Sequence, residues 1–160
     1  MEIAKNIGYD SLKMTGSVIA LNMSGLPTKM RSYIDNPGYL YLVDGSLYTM
    51  SKAIVDMSTN GKSVFQSDSY INVLDDVGYM SLISAGTNNL NIQQNIYNTI
   101  DKTAPNSILN DNLKMSLTDG LIISSASALG NVLDVYTGDN EVFNTIRRPV
   151  SSLLGKLQKE

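Results

Sequence analysis

Apolar and small residues run along this chain in stretches that open on Asp or Ser and close on Gly. Asp10-Ser11 leads to Gly25, with Pro27 just beyond. Asp44 leads to Gly61, Asp75-Asp76 to Gly86, and Asp119 to Gly138. Asp and Ser side chains accept bonds from the first free N–H groups of a helix, and Gly takes the left-handed conformation at its far end. The pattern therefore predicts four helices. In residues 47–57, Leu47, Met50, Ile54 and Met57 share one helical face, widened by Tyr48 and Val55. Thr49, Lys52 and Asp56 lie opposite. In residues 121–136, Ser124, Ser127, Asn131 and Asp134 form a polar stripe. Leu121, Ile122, Ala128, Leu129, Val132, Leu133, Val135 and Tyr136 form a broad face expected to be buried. Ala126 and Gly130 sit nearby, where a neighbouring backbone could approach closely. The first frame is apolar on two sides: Leu12, Ile19 and Met23 on one, Met14, Val18 and Leu21 on the other. That suits a segment sandwiched between layers or subunits.

Two further helices are expected. Asn88-Asn89 can cap residues 90–102, which end before Pro105. Pro149 suits a first helical position. Val150, Leu153, Leu154 and Leu157 follow it at i, i+3, i+4 and i+7 spacing. Residues 39–43, 69–74 and 113–117 read as short strands, rich in strand formers or alternating apolar and polar. Asp-Gly at 44–45 and at 119–120, and the Thr137-Gly138-Asp139-Asn140 segment, are also hairpin signals. The reading is a mainly α fold, a single helical domain with a few short strands. The alternative is an all-β, hairpin-rich domain. Residues 1–148 form the domain, and 149–160 form a C-terminal amphipathic arm.

Composition narrows the chemistry. The chain of 160 residues contains no His and no Cys. A Ser-His-Asp or Cys-His catalytic unit is therefore impossible, as are thiolate and imidazole metal sites. Neither GxxxxGK[ST] nor GxGxxG occurs. The acids are 12 Asp and three Glu, most of the Asp placed where a cap or turn would use one, so no catalytic pair stands out. Asp75-Asp76, Asn110-Asp111-Asn112 and Asp139-Asn140-Glu141 offer oxygen ligands for calcium but lack the spacing of an EF-hand. No catalytic, cofactor or metal residue is assigned.

Partners follow from charge. A net charge of −3 and a pI of about 4.8 argue against nonspecific nucleic-acid binding. The longest uncharged run, residues 77–100, contains five Asn and two Gln and makes a poor membrane span. The opening Met1-Glu2-Ile3-Ala4-Lys5 lacks the basic and apolar regions of a secretory signal. Residues 145–160 carry four positive charges and one negative, whereas residues 32–101 carry seven Asp against Lys52 and Lys62. The basic arm of one subunit could match the acidic body of another. Arg147, Arg148, Val150, Leu153, Leu154 and Leu157 are the expected partner contacts.

Ser and Asn make up 35 of the 160 residues, and charge is sparse. With no catalytic toolkit and several two-faced segments, the chain reads as a non-enzymatic assembly subunit that contacts other protein subunits. A virus particle, with the chain as a minor-capsid component, is the setting expected, in the virion or the cytoplasm. A peptide-binding adaptor and a carboxylate-based hydrolase or lyase are the alternatives.

Overall fold

The computed structural model describes residues 2–60, 70–136 and 140–159. Among them are eight helices and no strand: α1 (Glu2–Met23), α2 (Leu26–Ser32), α3 (Pro37–Asn60), α4 (Tyr70–Asn89), α5 (Ile92–Thr103), α6 (Asp111–Tyr136), α7 (Glu141–Arg147) and α8 (Pro149–Gln158). The mainly α reading holds, and the strands do not. Residues 39–43 belong to α3, 70–74 to α4 and 113–117 to α6. A five-residue alternation is too short to fix a period, and strand propensity yields to helix packing around it.

Some punctuation acts where the sequence puts it. Gly25 has φ of 74° and turns the chain out of α1, and Pro27 sits in the first turn of α2. Pro149 opens α8. Asn91, rather than Asn88 or Asn89, precedes α5, and it does so in the left-handed conformation. Gly61 and Gly138 lie outside the described residues, as does most of the 137–140 hairpin signal. The other frame ends are interior. Asp44, Asp75, Asp76, Asp119 and Gly86 all fall inside helices, so these Asp side chains cap nothing on their own helix.

α1 packs along α6, and α3 packs along α4 and crosses α1; α5 lies against α6 and α4. The surfaces that meet are small. A Cβ on Gly45 of α3 would come within 2.6 Å of the Ser81 backbone nitrogen on α4. A Cβ on Gly120 of α6 would come within 2.8 Å of the Thr15 nitrogen on α1. Ser11, Ser17, Thr49, Ser51, Ser81, Ser84, Ser116, Thr118 and Ser124 are buried. Three of these and the half-buried Thr15 spend their hydroxyl on their own helix: Thr15 donates to the Ser11 carbonyl (2.7 Å), Thr49 to Gly45 (2.8 Å), Ser81 to Val77 (2.6 Å) and Thr118 to Lys114 (2.8 Å). A hydroxyl satisfied this way needs no partner across the interface, so two backbones can close without leaving an orphaned polar group.

The large apolar side chains are correspondingly displaced, and this corrects the faces assigned from periodicity. On α3, Leu47, Tyr48 and Val55 are buried, but Met50, Ile54 and Met57 are exposed. On α6, Ile122, Ile123 and Leu133 are buried, but Leu129 is 47% exposed and Val132, Val135 and Tyr136 face outward. Ser124, assigned to the polar stripe, is buried. Close approach at Gly45 and Gly120 rewards dispersion contacts of backbone with backbone, whereas Gly130 lies against the side chains of Arg147 and Tyr79. The helices therefore turn their small residues inward. On α1 the side carrying Met14, Val18 and Leu21 is buried, and Leu12 and Met23 are exposed.

Candidate functional site

Carboxylates occupy the joints between helices. Asp44 of α3 accepts from Arg31 of α2 at 2.6 Å and from the Ser84 hydroxyl of α4 at 3.2 Å. Asp119 of α6 accepts from Gln93 of α5 at 3.1 Å and from the Tyr48 hydroxyl of α3 at 3.4 Å. No cation pairs with Asp119 among the described residues. Burial, reinforced by the negative charge of Asp44, pushes its carboxyl up to about 6, against the opposing hydrogen bond from Gln93. Burial, with Asp119 next in effect, raises the Tyr48 phenol as well. A cavity of about 20 Å3 adjoins the two, walled by Asn22, Arg31, Ser51 and apolar side chains of α1 and α3. That is room for one water. Beyond its wall of Asn22, Pro27 and Arg31, a groove of about 450 Å3 opens between α1, α2 and α6. Sequence reading missed this centre, because an Asp before a Gly carries the signature of a turn.

Lys114 of α6 is wholly buried, and its ammonium donates to Asp101 of α5 at 2.6 Å and to the Asn106 side chain. A buried ammonium held by a carboxylate and an amide oxygen is the arrangement that burial demands.

The C-terminal segment docks on its own chain. Asp75 of α4 accepts from the backbone N–H groups of Val150 and Ser151, both at 2.9 Å, and from the Ser151 hydroxyl, capping α8. The Pro149 ring lies where a Gly78 Cβ would meet it at 2.6 Å. Arg147 pairs with Asp76 of α4 at 2.8 Å and with Asp134 of α6 at 3.2 Å, and its guanidinium lies 5.0 Å from the Tyr79 ring centroid. Arg148 reaches Asp134 at 3.4 Å. Both arginines therefore meet acidic groups of the same chain. Val150 is half-buried, whereas Leu153, Leu154 and Leu157 are exposed. The structure thus divides the expected contact set: the charges are engaged within the chain, and the leucine stripe is open.

Removing the Arg147 charge leaves Asp76 and Asp134 facing each other's field. Both carboxylates keep solvent access, which screens part of the loss. Arg147→Gln is expected to cost about 1–2 kcal/mol, a fall of a few degrees in thermal midpoint. An unchanged midpoint would show that α7 and α8 are not held by this clamp.

The exterior is the other unusual feature. Every charged side chain described on α3 and α4 (Asp44, Lys52, Asp56, Asp75 and Asp76) is buried or half-buried. Outward on α3 stand Tyr39, Leu42, Met50, Ile54 and Met57, and on α4 stand Tyr70, Ile71, Leu74 and Leu82. At 1.5 Å per residue, the stripe on α3 from Tyr39 to Met57 runs over about 27 Å. The helices of the described residues include none long and apolar enough to cross a membrane. The chain matches no protein family, no curated protein and no solved structure.

Proposed function

We propose that this chain is a non-enzymatic structural subunit that packs through the uncharged apolar exteriors of α3 and α4 against other protein subunits. The observation that supports this most is the distribution of charge. On α3 and α4 the charged side chains are buried or half-buried, and large apolar side chains stand outside. Exposed apolar surface of this extent marks an interaction site on a water-soluble domain. A face without charge also carries no like-charge penalty against its own copy. Asp119, whose carboxyl burial pushes up to about 6, looks onto a cavity the size of one water. That leaves no room there for a substrate and favours a structural role. A virus particle remains the setting proposed for such a subunit.

A peptide-binding adaptor is the second reading. The groove of about 450 Å3 favours it, with Met23, Leu113 and Met115 beside Asn22, Asn112 and Ser116. Flexible Met side chains can conform to varied apolar partners.

Ile54→Glu separates the two. Ile54 is 39% exposed, so the charge can remain solvated and the thermal midpoint should change by only a degree or two. The variant is expected to elute as a monomer in size-exclusion chromatography at concentrations where the parent elutes larger. Identical elution of variant and parent would remove the α3–α4 face from the proposal and favour the adaptor.

A further inference from the structure

α2 has few ties to the rest of the chain. It has seven residues, enters through Gly25 at positive φ and leaves through residues 34–36, which are not helical. Of its side chains only Pro27 is buried. Its polar tie to the body is the Arg31–Asp44 pair, with the Arg31 side chain 51% exposed. Arg31 also lines both the small cavity beside Asp119 and the outer groove, and Pro27 and Thr28 form part of the groove wall. Two carboxylates, Asp44 and Asp119, thus share the reach of one guanidinium, and a cavity separates the second from it.

We propose that α2 is a proton-operated flap on the groove. With the Asp119 carboxyl protonated, Arg31 stays outside on Asp44. With it ionised, the guanidinium displaces the one water that the gap can hold, reaches Asp119 as well as Asp44, and draws α2 and the groove wall inward.

The groups that face Asp119 from each packed element are few. α2 presents Arg31, α3 presents Asp44 and the Tyr48 phenol, and α5 presents the neutral Gln93. α4 contributes the Ser84 hydroxyl to Asp44, and α1 contributes Val18, Leu21 and Asn22 to the cavity wall. Arg31 is therefore the one cation placed to answer ionisation. Ionisation adds a second negative charge across the gap from Arg31, and a guanidinium with five donors can answer both carboxylates. The Asp119 carboxyl changes state near pH 6, so the flap would move between mildly acidic and neutral conditions.

Because the chain has no Cys, a pair of engineered cysteines can be labelled without background. Thr28→Cys on α2 and Asn112→Cys on α6 stand on opposite sides of the groove, and both are exposed. The distance between spin labels at these sites is measured from pH 4.5 to 8 in the full chain, in the parent background and with Asp119→Asn or Arg31→Gln. Melting curves confirm that each labelled protein is folded. The expected result is a transfer between a longer and a shorter distance with a midpoint near pH 6 in the parent, lost in both variants. A pH-independent distance in the folded parent, or a pH-dependent one that persists in either variant, overturns the proposal.

Discussion

Asp119→Asn is expected to stabilise the protein at pH 7.5 and to flatten its stability profile between pH 4 and pH 6. Asn keeps an oxygen for Gln93 and Tyr48 but has no charge to desolvate. The Asp119 carboxyl titrates at about 6 in the fold, against 3.8 for an unperturbed group. In that window the folded state holds a proton that the unfolded chain has released, so stability falls as pH rises from about 4 to about 6 and then levels off. The full effect above pH 6 is about 3 kcal/mol, less whatever Arg31 returns by pairing. For a chain of this length that is a rise of up to about 6–12 °C in thermal midpoint. Below pH 4 both forms are neutral, and parent and variant should melt together. A variant that melts at or below the parent at pH 7.5 would mean that pairing with Arg31 outweighs the cost of burying the charge.

Gly45→Ala and Gly120→Ala should both destabilise, although Ala is the better helix former by about 1 kcal/mol. At Gly45 the new methyl meets the Ser81 nitrogen at 2.6 Å and its Cα at 2.7 Å; at Gly120 it meets the Thr15 nitrogen at 2.8 Å and the Ser11 carbonyl at 3.0 Å. Backbone cannot swing aside as a side chain can, so the helices must separate, at a cost of about 1–3 kcal/mol after the propensity gain. Gly120→Leu, which drives a larger group into the same crossing, should exceed about 4 kcal/mol and lose cooperative melting. Gly86 of α4 supplies the opposite sign. A methyl added there would meet no atom of another element within 4 Å, so Gly86→Ala should raise the midpoint by a degree or more. Stabilisation at all three glycines would contradict close crossing of α1 with α6 and of α3 with α4.

The helices were legible where periodicity ran long, as in residues 47–57 and 121–136, and where Gly25, Pro27 and Pro149 mark ends. The buried face was not. Apolar periodicity ranks residues by transfer from water, and that ranking sends Met50, Ile54, Leu129 and Val132 inside. In this protein Gly45, Ser81, Thr15 and Gly120 take those places, because their small size lets backbones touch. The Ser-rich composition hinted at this, but composition does not say which side of a helix wins. The same difficulty hid the carboxylate joints. Asp44, Asp75, Asp76 and Asp119 resemble caps in one dimension. Their partners Arg31, Val150, Arg147 and Gln93 lie 13, 75, 71 and 26 residues away, beyond the reach of local pattern. The arm reads similarly. Its helix and its start at Pro149 were legible, but the docking of Arg147 onto its own chain depends on a fold that brings α4 and α6 together.

The claim on which the functional account rests is that apolar side chains on the outside of this bundle are there to be covered by other subunits. Light scattering on the purified chain across a concentration series tests it directly. The account predicts a mass that rises with concentration above the 17.4 kDa of one chain and falls back on dilution. A mass of 17.4 kDa at every concentration, from a protein that melts cooperatively, would contradict it.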